Sequence, residues 1–292
     1  MRHAYLLLAH KNSEQLALLL RMLDHKDNDI YLHLDKKFLD VDLDYLKKQC
    51  KYSKVYFTPR VDVRWGEYSL VVAQNLLLKS SINKNYDFYH LISGQDLPLK
   101  SQDEIHAFFE KNRKHNFVYI VSEDEAKKYT DSRVKLYTFF VNYKNSIEKF
   151  FSKLLTKGQK LIGINRLNPN YNYNYGSEWF SINNELAHYI ISQEKDIEKY
   201  FSHAICADEL YIQTLVCSSK FKESLYLDET AGYRQILRYI DFSRGNGKNP
   251  YTFRESDYND LMNSDYLFAR KFDMDVDNLI IEKIYNKIIC KD

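Results

Sequence analysis

From residue 4 onward, short apolar runs that end on polar residues alternate with stretches whose apolar positions recur every three or four residues. "AYLLLAHK" is one such run, finishing on His10 and Lys11, and it predicts a buried strand. "NSEQLALLLRMLDH" follows at helical spacing, with Asn12 or Ser13 as its N-cap. "NDIYLHLDKK" predicts a second strand, "YLKKQC" a short helix, "KVYFTPR" a third strand and "SLVVAQNLLLKSSI" a long helix. "YDFYHLIS" is the fourth strand. Strands and helices in strict alternation imply an α/β domain with a mostly parallel sheet and helices on both faces. In such sheets ligands sit at the carboxyl ends of the strands, so His10, Asp35, Arg60 and Asp96 are expected along one edge.

The remaining chain is less regular. "SQDEIHAFFEKN" predicts a helix capped by Ser101, with Glu104 completing a capping box. "FVYIV" and "EWFSI" predict strands, "NNELAHYIISQ" a helix opened by Asn183 or Asn184, and "ADELYIQTLVCSS" a helix opened by Ala207 and Asp208. Residues 124–175 carry helical patterns and end in "NPNYNYNYGS", a loop by composition. "RYIDFSRGNGKNPYTF" predicts a strand and a glycine-bearing loop, "ESDYNDLMNSDYLFARKF" a helix and then an extended segment, and "LIIEKIYNKIIC" an amphipathic helix. No internal repeat or linker divides the 292 residues, so one domain with an embedded helical insertion is expected.

Composition narrows the class. Glycine and proline total only 12, against 25 tyrosines and 17 phenylalanines, which excludes a disordered or collagen-like chain. A net charge of +2 leaves no overall footprint for nucleic acid. Residues 111–170, however, hold thirteen Lys and Arg against five Asp and Glu, together with Tyr129, Tyr137, Phe139, Phe140, Phe150 and Phe151. That basic, aromatic segment could meet an anionic substrate or a membrane surface, or be only a solvated helical face. Cys50, Cys206, Cys217 and Cys290 show no paired or metal spacing and suggest reduced thiols in a cytosolic protein. The start "MRH" is polar and the run after it too short to span a bilayer, so no signal peptide is expected.

Five stretches carry candidate chemistry. "ADEL" (207–210) sets two carboxylates at a helix start: Asp208 suits a capping role, which leaves Glu209 available as a general base. "FARKF" (268–272) places Arg270 and Lys271 among aromatic rings, a setting for phosphate, with Lys248 and Arg254 upstream. "SRGNGK" (243–248) lacks the spacing of a phosphate-binding loop but offers Lys248. The acidic runs "DVDLD" (40–44) and "DMDVD" (273–277) could hold a divalent cation against a diphosphate, although the first lies in a connector and suits a solvated surface.

"AYLLLAHK", "NDIYLHLDKK", "RVDVRWGEYSLVVA", "YHLISGQDLPLKS", "GSEWFSI", "ADELYIQTL", "LRYIDF" and "FARKFD" stand in the order of the core-2/I-branching N-acetylglucosaminyltransferase family, which the chain resembles from residue 4 to about 275. The xylosyltransferases that initiate proteoglycan chains belong to the same family. The resemblance implies a GT-A-like fold, in which 1–110 forms the nucleotide-sugar half and 111–292 the acceptor-binding and catalytic half. It implies an inverting transfer from a UDP-sugar, with N-acetylglucosamine or a xylose-like sugar moved to a hydroxyl of a glycan or glycolipid. Neither a cofactor nor a metal is expected, because basic side chains replace the cation in the family. Glu209 then matches the catalytic base, and Lys271, with Arg270 beside it, meets the leaving diphosphate. A second diphosphate cation is either Lys248 or Arg254. His10, Asp35, Arg60, Arg64, Trp65, Gly66, Ser93, Gly94, Gln95 and Asp96 fall around the nucleotide and donor sugar, with Gly94 admitting the donor to the backbone and Asp96 hydrogen-bonding it. Ser177, Glu178, Trp179, Tyr239 and Asp241 fall on the acceptor side. Tyr239 and Asp241 stand where animal members carry Trp and Tyr, and the animal cysteine framework and membrane anchor are missing. A bacterial enzyme of surface-glycan synthesis, cytoplasmic or peripheral on the inner membrane face, is the expected setting. The alternative is a non-catalytic nucleotide- or glycan-binding module of the same fold; a nucleotidyltransferase would need an acidic metal site at the fourth strand.

Overall fold

Two runs of seven fully buried residues form the central strands β1 (His3–Ala9) and β2 (Asn28–Leu34). The computed structural model describes residues 1–226, 232–247 and 249–289. With β3 (Lys54–Phe57), β4 (Phe88–Ser93), β6 (Phe117–Val118) and β7 (Phe180–Asn183) they make one sheet in the order β3-β2-β1-β4-β7-β6. The four amino-terminal strands pair in parallel, β7 adds antiparallel to β4, and β6 pairs antiparallel with β7. Strand order therefore reverses at β1, with β2 and β3 laid down on one side of it and β4 on the other, and the carboxyl ends of β1 and β4 form the switch point where α/β sheets bind ligands.

Alternation along each strand feeds two cores. Tyr5, Leu7 and Ala9 of β1 face a cluster shared with α1 (Ser13–Leu23), α4 (Gln102–Lys111) and α11 (Asn278–Ile289). Ala4, Leu6 and Leu8 face the other, built from α3 (Ser69–Ile82), α7 (Asn184–Ser192), α8 (Glu194–Phe201) and α9 (Tyr211–Cys217). Each leucine so enclosed contributes about 2 kcal/mol. Helix starts are capped as their residues dictate: Asn12 accepts from Gln15 N, Ser101 and Glu104 form a capping box, and Asn183 accepts from Leu186 N. The short α2 (Leu43–Lys47) is capped by Asp42, so "DVDLD" serves a helix terminus.

A second, three-stranded sheet lies at the switch point. β5 (Asp96–Pro98) and β8 (Arg238–Ile240) flank β9 (Phe268–Arg270), in the order β5-β9-β8. Its register sets Asp96 opposite Arg270 and Arg270 opposite Ile240. Arg238 enters the protein interior beneath it and donates to the carbonyls of Leu91 and Phe180, both at 2.9 Å, where β4 and β7 part. Burial lowers its pKa to about 10. The insertion between β6 and β7 carries α5 (Glu123–Arg133) and α6 (Ser146–Leu161), and α10 (Tyr258–Met262) precedes β9. Among the described residues no helix is long and apolar enough to cross a membrane.

Candidate functional site

Two cavities open side by side at the carboxyl ends of β1 and β4. One, of about 410 Å³, is lined by His10, His33, Asp35, Lys37 and Ser93. The other, of about 470 Å³, is lined by Tyr129, Arg133, Ser177, Cys206 and Glu209, with Ile240 and Phe242 opposite. Trp65, Glu178, Trp179 and Arg270 belong to both walls. The indole of Trp65 is 65 % exposed and stands at the shared rim.

In the first cavity, Asp35 is buried, accepts from Lys37 N at 2.8 Å and lies 3.5 Å from the Lys37 ammonium. His33 accepts from Val61 N at 3.0 Å, and burial lowers its pKa to about 4, so the ring stays neutral. Burial, with Arg270, Lys11 and Lys271 nearby, also lowers the pKa of His10. Arg60, expected here, sits beneath the wall: it donates to the carbonyls of Leu34 (3.2 Å), Asp35 (2.7 Å) and Phe38, clamping the chain that leaves β2. Arg64 pairs with Asp62 at 3.1 Å and lies outside both cavities. Gly66 is buried with φ +76°, and a Cβ there would meet Val141 at 3.1 Å, so its glycine answers to the backbone.

The turn after β4 supports the site from behind. Asp96 is 1 % exposed; one oxygen accepts from Ser93 N at 3.0 Å and the other from Arg270 Nη1 at 2.7 Å. The same Nη1 donates to Ser93 Oγ at 2.7 Å, and the guanidinium lies 4.5 Å over the Trp179 ring. Gly94 permits a close approach of a different kind from the one expected: a Cβ would meet Ala9 Cβ at 3.3 Å, so its bareness serves β1 packing. Gln95 is buried and reaches Phe272 O at 3.4 Å. Neither Gly94, Gln95 nor Asp96 lines a cavity.

Glu209 ends a single 3₁₀ turn, Ala207–Glu209, that precedes α9. Its carboxylate accepts from Arg133 Nη1 at 2.6 Å, and the backbone Arg133 O accepts from Ile205 N at 3.1 Å. The Arg133 guanidinium lies beside the stacked rings of Tyr129 and Tyr175, 4.8 Å from each centroid, the two rings being 4.0 Å apart. Asp208 does not cap α9: it is buried, its Oδ1 has no hydrogen-bond partner, and burial with Glu209 beside it pushes its carboxyl up to about 7. Burial and the Asp208 charge likewise raise Glu178 well above the usual carboxylate range, against Arg270. Burial raises the Cys206 thiol to about 12. Cys50 and Cys217 are also free thiols, and Cys290 lies outside the described residues.

Of the expected acceptor residues, Ser177, Glu178 and Trp179 line the second cavity, but Tyr239 and Asp241 do not. Strand register decides this: Ile240 shares a face with Arg270, so Tyr239 turns to the opposite face and packs on Phe253 and Tyr266. Asp241 binds the Ser243 hydroxyl and Arg244 Nε at 2.6 and 2.5 Å, which hold its carboxyl down at about 2. Of the expected diphosphate cations, Arg270 lines both cavities. Lys271 follows it in the chain but lines neither cavity, and burial and Arg270 lower its pKa. Arg254 is exposed and lines neither cavity, although its neighbour Phe253 N donates to Lys271 O at 2.9 Å; Lys248 lies outside the described residues. In "DMDVD", Asp273 binds Lys11 at 2.5 Å and Asp277 caps α11 through Ile280 N. Among the described residues no group of three or more His, Cys, Asp or Glu is placed to hold a metal ion.

Sequence reasoning missed Arg133, Tyr129 and Tyr175 as a unit. The excess charge of residues 111–170 pointed to the segment, but nothing local ties Arg133 to a carboxylate 76 residues away.

The α/β sheet with a charged double cavity at its switch point defines the class, and the sequence comparisons define the family. The profile of the Core-2/I-Branching enzyme family matches residues 3–265, and the chain belongs to that family. It is 24 % identical over 303 residues to xylosyltransferase 1 of Homo sapiens, covering 97 % of this chain and 30 % of that protein. Xylosyltransferase 2 of Rattus norvegicus is 24 % identical over 298 residues, 96 % of this chain and 33 % of the relative. The chain thus spans about a third of the length of these curated relatives. Mouse xyloside xylosyltransferase 1, solved in its apo form, superposes with a TM-score of 0.37 at 12 % identity over 91 % of this chain and 96 % of that one.

Proposed function

We propose that the chain is an inverting glycosyltransferase that moves a sugar from a UDP-sugar to a hydroxyl of a glycan or glycolipid. One observation carries the reading: Glu209 and Arg270 face a common cavity, and Arg270 is shared with the second cavity at the switch point. The nucleotide occupies the cavity of His10, His33, Asp35 and Lys37, and the acceptor the one floored by Glu209. Glu209 takes the proton of the acceptor hydroxyl; the hydroxyl oxygen bonds to the anomeric carbon as the bond from that carbon to the diphosphate oxygen breaks. Negative charge grows on the departing diphosphate, where Arg270 and Lys271 stabilise it. Arg133, braced by two tyrosines, orients the Glu209 carboxylate. The transferred sugar is N-acetylglucosamine or a xylose-like pentose, and the GT-A-like cations do the work of a metal. We place the reaction in bacterial surface-polysaccharide or lipo-oligosaccharide synthesis, a setting supported by the lysine-, asparagine- and tyrosine-rich composition.

A screen of UDP-sugars by UDP release, run with chelator present, tests the proposal. Turnover with at least one donor is expected, with loss in Glu209→Gln and donor binding retained by calorimetry. UDP binding without turnover for every donor and acceptor would favour a binding module instead. Activity abolished by EDTA and restored by manganese would overturn the metal-free version.

A further inference from the structure

Helix α6 sits on the protein the wrong way round for a globular domain. Ile147, Phe150, Phe151, Leu154, Leu155 and Leu161 recur at helical spacing and share one face, yet none of the sixteen residues is buried. Phe150 is 64 % and Leu161 88 % exposed. The side turned to the protein is polar: Gln159 donates to Tyr137 O at 3.0 Å and accepts from Tyr137 N at 2.7 Å, and Ser152 meets the Tyr143 hydroxyl at 3.4 Å. Lys149, Lys153, Lys157 and Lys160 flank the apolar face on one side, whereas the helix carries a single carboxylate, Glu148. That carboxylate is occupied by Lys144 N at 2.7 Å at the helix start. A soluble domain gains nothing by exposing this face, and a helix of about 24 Å with four lysines cannot span a bilayer.

We propose that α6 is an in-plane anchor by which the protein docks on an anionic lipid bilayer. Phe150, Phe151 and the leucines enter the headgroup and acyl boundary, and the lysine flank meets lipid phosphates. Charge complementarity selects this occupant, because the lysine row would need an acidic strip on any protein partner. The loop leading into α6 also ties the anchor to the site: Asn142 Nδ2 donates to Trp65 O at 3.0 Å, so docking brings the shared rim of the two cavities towards the membrane surface. The inference rests on α6 and does not depend on the transferase reading.

The test is flotation of the full chain with phosphatidylcholine vesicles, with and without phosphatidylglycerol. Binding to the anionic vesicles, weakened by salt, is expected, with little binding to phosphatidylcholine alone. Phe150→Glu with Leu154→Glu should lower partitioning roughly tenfold or more. Because both side chains point outward, the melting temperature and UDP release with a free saccharide acceptor should hold. Lys149→Glu, Lys153→Glu and Lys157→Glu together should abolish the preference for anionic lipid. Absence of anionic-vesicle binding, or binding indifferent to both sets of changes, overturns the anchor. So does a dimer in light scattering that the Phe150/Leu154 variant dissolves while vesicles are ignored, which would make the face an interface between copies.

Discussion

Gly176 is where the turn carrying Glu209, the proposed base, has least room for an added atom. Its N–H donates to Glu209 O at 2.9 Å, and a Cβ built on it would lie 1.8 Å from Tyr119 O, 2.8 Å from Tyr119 C and 3.2 Å from Gln213 Cγ. A carbon settles against a carbonyl oxygen at about 3.3 Å, so Gly176→Ala must open this contact by roughly 1.5 Å. The opposing atoms are backbone and cannot swing aside. Neighbouring backbone adds resistance, since Val121 N donates to Tyr175 O at 3.0 Å. Overpacking costs about 1–3 kcal/mol and a lost backbone hydrogen bond about 1 kcal/mol, a total near 2–4 kcal/mol. In a domain of this size that is a fall in melting temperature of roughly 3–7 °C. If Glu209 is the base, as proposed, a shift near 1 Å there is expected to lower kcat by roughly a hundredfold. Gly158→Ala is the matched control. It lies inside α6 with nothing within 4 Å of its Cβ, and should stabilise by about 0.5–1 kcal/mol without touching kcat. Calorimetric melting and UDP release measure both. A Gly176→Ala enzyme that melts within about 1 °C of the parent and turns over normally would refute the reasoning.

Two further predictions concern buried charge. His106 stacks on His3 at 3.9 Å and its Nε2 meets Asn28 Oδ1 at 2.7 Å; burial, then His25, lower its pKa to about 4. The folded value lies below the unfolded value of about 6.5, so its contribution is intact above that pH and is lost as pH falls towards 4. His106→Gln should therefore gain on the parent by about 1.4 kcal/mol per pH unit in that window, read from urea melts of both proteins. Comparing variants removes the opposite contribution of Asp208, and parallel pH curves would dismiss the assignment. Arg270→Ala strands the buried Asp96 carboxylate and should cost about 3 kcal/mol, part of which returns in Arg270→Ala/Asp96→Asn. Equal stability of the single and double variants in urea would show that the pair is not the cause.

What could be read from the sequence was the part whose signal is local. β1 to β4 and the helices between them announce themselves by buried runs, helical spacing and caps such as Asn12 and Ser101, and the helices on both faces follow from that alternation. The second sheet was hidden because its strands have three residues each, and Leu97 finds Ala269 across most of the chain. The same non-locality misplaced Tyr239: only the pairing with β9 decides that Ile240, rather than its neighbours, shares a face with Arg270. Arg60 had the right position and a different employment, since a guanidinium at a strand end can serve carbonyls as readily as a ligand. For α6 the periodicity was plain, but periodicity does not say which side of a helix meets the protein. His10, Asp35, Ser93, Trp65, Ser177 to Trp179, Glu209 and Arg270 do converge on the two cavities.

The turn Ser93–Asp96 leads to a last prediction. Asp96 is enclosed, with both oxygens engaged, so its charge goes into fixing Arg270. The pair is close to neutral, which leaves less net positive charge for a departing diphosphate than the residue types suggest. Lys11 is similarly occupied by Asp273. Lys271 is different: its ammonium has no hydrogen bond or ion pair with any described residue, and burial and the Arg270 charge already lower its pKa. If this ammonium supplies the charge that stabilises the leaving group, kcat/KM must fall on the alkaline side where Lys271 loses its proton, below the usual lysine range. Lys271→Arg keeps a cation that does not titrate there. It should move the alkaline limb to higher pH while lowering the plateau only modestly, and Lys271→Met should depress the whole profile. The measurement is kcat/KM for UDP release across the alkaline range in the three proteins. An alkaline limb at the same pH in the parent and Lys271→Arg would assign the titration elsewhere and return the leaving-group role to Arg270.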